Sequence, residues 1–338
     1  MSYGILAVGE CLGEPVSVAA EASRYLDDPR RIKASGYRGF HRASESTGVT
    51  DLAAEAGRRA LAHAGLRPRD VDLVILAIND LAEYLYWDPA TVTAEKIGVR
   101  GAEALLVNQA CIGGVAAFDV AAGKFATHPE HRIVLLVAAT RVCEPYWNRM
   151  DSSLALMSDG AAAAVLFRDH PRCTWLGTEV VSDGRYADIS RLQVGGAAEP
   201  FRTGGGPVEP VENPVAGANR LLGNDMRAVI GFVRYDRERA REVVERACAR
   251  AGRSIEQIDH LLGLHGTAQA IRDHAELLGV PLERTSAQVA ADHGHFGCAD
   301  QLIALGRLLD SGRLRPGDLV ALSGSGTGMN WACTLLRA

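Results

Sequence analysis

Three side chains in this sequence combine a nucleophile with acid–base groups: Cys111, His265 and His295. Cys111 stands in Leu105-Leu106-Val107-Asn108-Gln109-Ala110-Cys111-Ile112-Gly113-Gly114-Val115-Ala116-Ala117, an apolar run that turns through one cysteine and two glycines. The run is short enough for a buried strand, and the Ala-rich segment after it keeps helical periodicity through Phe118, Ala121 and Phe125. A sulfur at a helix start feels the positive end of the macrodipole, which favours thiolate over thiol. Gly113 and Gly114 leave room for a substrate to approach the backbone beside it. His265 closes a predicted strand, Leu261–Leu264, and His295 follows in His293-Gly294-His295. Imidazoles titrate near neutrality, so the set suits covalent catalysis with proton transfer.

The elements that must position these residues are α/β in pattern. Strands are predicted at Ile5–Val8, Val71–Ile78, Ile133–Ala139 and Ala161–Phe167, the longer runs reading as strands covered on both faces. Helices are predicted over Leu52–Ala64 with Thr50 as N-cap and Gly65 as stop, from Pro89 to Ile97, and over Arg237–Ala251. Arg24 to Arg42 reads as surface loop with short helices, and Gly204-Gly205-Gly206-Pro207 as an irregular region. A repeat runs through the chain. Ala62–Leu76 and Ala249–Gly263 each read helix, Ala-Gly stop, polar link, Asp, apolar strand; Gly113–Val137 and Gly297–Leu322 each read turn, helix, link, strand. Two copies of one α/β unit predict two pseudo-symmetric halves, residues 1–170 with the nucleophilic cysteine and residues 171–338 with the two histidines, divided near Phe167–Pro171. Sites in open α/β sheets gather beyond the carboxyl ends of strands, so the three residues converge where the halves meet.

Composition excludes several classes. The net charge is -5 and no basic stripe dominates, which argues against nucleic acid. Arg234 to Arg253 alternates with Asp and Glu and reads as a solvated helix face. Seven cysteines at irregular spacing do not form a disulfide framework and point to a reducing cytoplasm. Met1-Ser2-Tyr3-Gly4 has no basic leader region, and apolar runs such as Ile133–Ala139 are too short to span a bilayer, so no membrane is expected.

With Gln109-Ala110-Cys111-Ile112-Gly113-Gly114, Ser158-Asp159-Gly160-Ala161-Ala162-Ala163 and Gly326-Thr327-Gly328-Met329-Asn330-Trp331, the chain resembles the condensing enzymes of the thiolase superfamily, most closely the β-ketoacyl-ACP synthase III family. His265 and His293-Gly294-His295 add to the match, which covers nearly the whole chain. The resemblance implies a thiolase-like five-layered αβαβα fold, a homodimer and an acyl-cysteine formed from a thioester on acyl carrier protein or CoA, with no permanently bound cofactor. By position, Cys111 is the nucleophile, His265 the first catalytic histidine, and the backbone N–H groups of Cys111 and Thr327 the oxyanion hole. Removing one such donor costs about 3 kcal/mol in other enzymes.

The departures narrow the reaction. The family has asparagine where this chain has His295, and His-Gln-Ala-Asn where it has His265-Gly266-Thr267-Ala268. The His-Gly-Thr and Gly-His patterns are more like the elongating synthases, which use Cys-His-His. The family's tryptophan for stacking on the adenine of CoA is absent, and Arg30 falls near its place, so a carrier-protein donor is expected. With both asparagines gone, the favoured reading is an acyltransferase of secondary, polyketide-type metabolism that passes the acyl group to a small-molecule hydroxyl or amine. The alternatives are decarboxylative condensation with a malonyl thioester and a catalytically silent partner subunit; the presence of Cys111 counts against the latter. A metal site from Asp292, His293, His295 and Cys298 is weighed and set aside, because a glycine-rich turn rarely fixes four ligands tetrahedrally. Tyr84, Tyr86 and Trp87 could line a substrate or dimer surface, or simply pack.

Overall fold

Strands that are apolar on both faces need cover on both faces, and that requirement organises the molecule. The computed structural model describes residues 2–79, 81–152, 154–201 and 214–338. Its strands in chain order are β1 (Tyr3–Leu12), β2 (Glu14–Ser17), β3 (Gly39–Arg42), β4 (Leu73–Ile78), β5 (Glu103–Val107), β6 (Ile133–Thr140), β7 (Gly160–Arg168), β8 (Thr174–Ser182), β9 (His260–Leu262), β10 (Leu319–Gly326) and β11 (Asn330–Arg337). The helices are α1 (Val18–Tyr25), α2 (Arg30–Lys33), α3 (Val49–Ala64), α4 (Pro89–Ile97), α5 (Gly113–Thr127), α6 (Pro214–Leu221), α7 (Met226–Arg250), α8 (Ala268–Leu278), α9 (Ala287–His293) and α10 (Asp300–Asp310).

One sheet has the order β1-β7-β6-β4-β5 and the other β8-β11-β10-β9. The orders correspond, as do the directions: β7 and β11 are antiparallel to both neighbours, while β4 pairs parallel with β6 as β9 does with β10. An isolated parallel bridge from Leu261 to Thr285 continues the second sheet where β5 stands in the first. Helices α3 and α4 cover one sheet, α7 the other, and α5 and α10 lie between the sheets. This is the five-layered αβαβα thiolase-like fold. The middle layer is densely apolar, with Val115, Phe118, Phe125, Leu302, Ile303 and Leu305 all buried. Ala110–Thr127 is long and apolar enough to cross a membrane by composition alone, but here it is the core helix of that layer.

Several expected boundaries move. Strand β1 runs well past Ile5–Val8 on both sides because it pairs along almost its whole length with β7. Thr50 is not an N-cap: helix α3 starts at Val49 behind Gly48, and the Thr50 amide and hydroxyl both donate to Glu83 Oε1. Helix α7 begins at Met226 rather than Arg237; only its last turns carry a buried stripe, Val243, Val244, Ala247 and Cys248, so periodicity revealed only that end. The stretch from Arg24 to Arg42 contains α2 and β3, and its Phe40 is fully buried. Gly204-Gly205-Gly206-Pro207 lies outside the described residues.

Candidate active site

Cys111 leaves the end of β5 through a tight turn. Ala110 takes a left-handed φ of 47°, Ala110–Ile112 forms one 3₁₀ turn, and α5 follows. A left-handed alanine costs about 1 kcal/mol or more, and the packing around this turn must supply it. The packing is specific. A Cβ on Gly326 would lie 3.2 Å from the Cys111 amide nitrogen and 3.1 Å from the Gln109 carbonyl oxygen, so the end of β10 abuts the turn backbone to backbone. Thr327, the expected second oxyanion donor, is the next residue, exposed, with its carbonyl accepting from Asn330 Nδ2 at 3.2 Å.

Gly113 and Gly114 serve a purpose other than substrate access. Both are buried, and a Cβ on Gly114 would meet the Cys298 carbonyl oxygen at 2.3 Å. The small residue lets the start of α5 pack against the pseudo-equivalent 3₁₀ turn Gly297–Ala299, which leads into α10 as the Cys111 turn leads into α5. Cys298 is thus the counterpart of Cys111. Burial pushes its thiol well up from its ordinary value, and it donates to the Ala77 and Ala139 carbonyls.

From this second turn comes the partner of Cys111. His295 Nε2 lies 3.6 Å from Cys111 Sγ. The His295 backbone is clamped on both sides, its amide donating to Leu156 O and its carbonyl accepting from Ser158 N, so the Ser158-Asp159-Gly160 motif holds the histidine in place. Asp159 adds rigidity rather than chemistry: its carboxylate accepts from Ala43 N, Val142 N and the buried Arg149 guanidinium.

Sequence reasoning missed Asp300. This fully buried carboxylate accepts from His295 Nδ1 at 2.5 Å, from His265 N at 2.7 Å and from Phe296 N at 2.6 Å, and it stands 3.2 Å from His265 Nδ1. Cys111, His295 and Asp300 therefore form a continuous chain of nucleophile, imidazole and carboxylate. The signal was an aspartate five residues after His295; at the first position of an apolar helix it passes for an acidic residue complementing the helix dipole.

The electrostatics separate the two histidines. Burial alone would push His295 down, but the Asp300 carboxylate and the Cys111 sulfur together hold it well above its ordinary value. His265 moves the other way: burial and the neighbouring His295 lower it, outweighing Asp300. Asp300 is held below the usual carboxylate range, since the two histidines and its hydrogen bonds outweigh its burial. The structure thus brings Cys111 and His295 into contact and joins His265 to them through Asp300.

The remaining candidates have other partners. Asp292 pairs with Arg38, and His293 bonds and stacks on His41. With His295 and Cys298 engaged as above, these four side chains do not share a centre, and among the described residues no group of three or more His, Cys, Asp or Glu could hold a metal. Arg30 is exposed and held by Asp28. Tyr84 and Tyr86 are exposed, with Trp87 packed edge-on against Tyr84.

Compared with known proteins, residues 107–184 match the family described as 3-oxoacyl-[acyl-carrier-protein (ACP)] synthase III, and residues 248–338 match its C-terminal part. The β-ketoacyl-[acyl-carrier-protein] synthase III of Microcystis aeruginosa is 30% identical over 299 residues, covering 88% of this chain and 85% of the relative. That of Ruegeria sp. is 27% identical over 340 residues, 98% of each. Among solved structures, the synthase III of Pseudomonas aeruginosa superposes with a TM-score of 0.79 at 26% identity, covering 100% of this chain and 98% of that one. ChlB3, described as an acyltransferase, superposes with a TM-score of 0.85 at 23% identity over 100% and 98% of the two chains.

Proposed function

The chain belongs to the 3-oxoacyl-ACP synthase III family of acyl-transferring condensing enzymes, and within that family we propose that it is an acyltransferase, moving an acyl group from a thioester to Cys111 and then to the hydroxyl or amine of a small molecule. One observation carries the reading: the buried Asp300 carboxylate on His295 Nδ1, with His295 Nε2 facing Cys111. Decarboxylative condensation needs hydrogen-bond donors for an enolate and no general base. A nucleophile–imidazole–carboxylate chain moves protons.

In the proposed sequence, Cys111 sulfur attacks the thioester carbonyl carbon, and the resulting oxyanion accepts hydrogen bonds from the backbone N–H groups of Cys111 and Thr327. Collapse breaks the bond to the carrier sulfur, which leaves as a thiol with the proton from His295 Nε2. The acceptor X–H then gives its proton to the same nitrogen as X attacks the acyl-cysteine carbonyl. The second collapse releases the ester or amide and restores sulfur and imidazolium. Asp300 holds the ring in one tautomer and balances its charge.

Carrier-protein thioester is the proposed donor. The exposed apolar residues Met226, Ile230 and Val233 recur on one side of α7 among Arg227 and Arg234, and Arg30 offers no aromatic face for adenine. The donor chemistry requires no further cofactor. We also read the molecule as a homodimer pairing through the edge strand β5, whose Leu106 is exposed, as is the Tyr84–Tyr86 segment. Residues 1–170 and 171–338 are taken as the two halves, and polyketide-type metabolism in the cytoplasm as the setting. The related priming ketosynthase of the R1128 polyketide pathway shares the fold.

The test is His295→Asn with an acyl thioester and a panel of acceptors. Acyl transfer predicts that turnover falls roughly 100-fold or more while mass spectrometry finds acyl-Cys111 accumulating. Stoichiometric carbon dioxide release from a malonyl thioester by the unaltered protein would instead establish condensation.

A further inference from the structure

His265 is fully buried, and its Nδ1 faces two acceptors, the Gly294 carbonyl oxygen at 3.1 Å and Asp300 Oδ1 at 3.2 Å. Two acceptors on one nitrogen fix the proton there. Burial and the neighbouring His295 keep this ring from carrying a second proton. Its Nε2 is therefore a lone pair, and among the described residues that atom is buried with no hydrogen-bond partner. A neutral imidazole in this tautomer cannot donate to a thioester carbonyl; it can only accept. His295 Nδ1 donates to the Asp300 carboxylate and His265 Nδ1 stands 3.2 Å from it, so each ring turns its Nε2 away from Asp300, and that of His295 meets the Cys111 sulfur. Once Cys111 is acylated and His295 has surrendered its proton, the site holds two accepting nitrogens.

We propose that these two lone pairs select an acceptor with two adjacent hydrogen-bond donors, a 1,2-diol or a 1,2-amino alcohol. One X–H attacks and delivers its proton to His295 Nε2; the neighbouring O–H or N–H stays intact and donates to His265 Nε2. The X–acyl bond forms as the Cys111 sulfur–acyl bond breaks, and the proton that leaves X restores the imidazolium of His295. The proposal rests on the acyl-transfer reading above. An acceptor with a single donor leaves the buried His265 lone pair unsatisfied, a penalty equivalent to a preference of about 10- to 100-fold for the two-donor molecule.

Preformed acyl-Cys111 protein is offered propane-1,2-diol against propan-1-ol, and 1-aminopropan-2-ol against propylamine. The expected result is at least 10-fold faster acyl loss with one or both two-donor molecules than with its one-donor partner, the two pairs showing which nucleophile is used. In His265→Phe that ratio falls towards one. Independently of turnover, ¹⁵N-histidine NMR of the unaltered protein should show His265 Nε2 unprotonated at neutral pH. A protonated Nε2, or equal rates within both pairs while acyl transfer persists, would overturn this proposal alone. Carbon dioxide release coupled to product would overturn the acyl-transfer reading beneath it.

Discussion

Replacing Asp300 with asparagine is the sharpest probe of the site. The carboxylate accepts three hydrogen bonds, from His295 Nδ1, His265 N and Phe296 N. An asparagine that keeps its oxygen towards Phe296 N turns its amide NH₂ towards the other two, both of which are donors. His295 must then give up its Nδ1 proton and keep the one on Nε2, which leaves no lone pair to receive the acceptor's proton. In serine-protease triads the same exchange lowers kcat about 10⁴-fold through the wrong tautomer, and a loss of at least 10³-fold is expected here. The orphaned His265 backbone N–H adds a stability cost of about 1–3 kcal/mol. The pH dependence supplies a separate readout. Asp300 is held below its ordinary 3.8, so the stability it contributes is complete above that pH and is lost as acid takes the pH down through the folded value. His295 is held above its ordinary 6.5, so its contribution is complete below that pH and is lost as the pH rises through the folded value. Thermal melts of Asp300→Asn should be flatter on both limbs, and steady-state assays at pH 7 should give the rate. A folded Asp300→Asn protein within 10-fold of normal kcat would refute the triad.

Acyl-thioester treatment should add mass to the Cys111 peptide, and Cys111→Ala should abolish label and turnover; modification at Cys298, whose thiol is buried and raised, would contradict the assignment. Gly326→Ala places a Cβ 3.2 Å from the Cys111 amide, so a roughly 10- to 100-fold loss in kcat is expected from a displaced oxyanion donor, read against an unchanged far-ultraviolet spectrum. Arg149→Met removes one side of a buried pair with Asp159, and denaturant titration should register a loss of about 3–5 kcal/mol. Sedimentation at micromolar concentration should find a dimer, and a charged residue in place of the exposed edge Leu106 should shift it towards monomer.

Much of the frame could be read from local pattern. Strands such as Leu73–Ile78 and Ile133–Thr140 are apolar at every position because both faces are covered, and the helix Pro89–Ile97 matches its prediction, with proline at its start and Gly98 at its stop. Helix α7 was legible only in its last turns, where Val243, Val244, Ala247 and Cys248 form a buried stripe; the apolar residues near its start, Met226, Ile230 and Val233, are exposed. Thr50 was misread because its partner, Glu83, is remote in sequence. The glycines beside Cys111 suggested substrate, whereas the group that approaches Gly114 is the Cys298 carbonyl from the other half. Asp300 was illegible for the same reason: its role depends on the turn through Gly297, at φ 56°, that brings the start of α10 back beneath His295. Local sequence carries element type; it does not carry which two turns will touch.

That contact between turns makes the reactive centre a joint between two separately written pieces of chain. The sulfur is synthesised early, while its imidazole arrives 184 residues later and its carboxylate just after that, ahead of the last two strands. A nascent or partly opened chain therefore displays a cysteine with neither the imidazole nor the carboxylate beside it, and lacks their help in moving protons. The full triad exists only when the two turns close against each other, so the competence of the thiol reports that the two halves have docked.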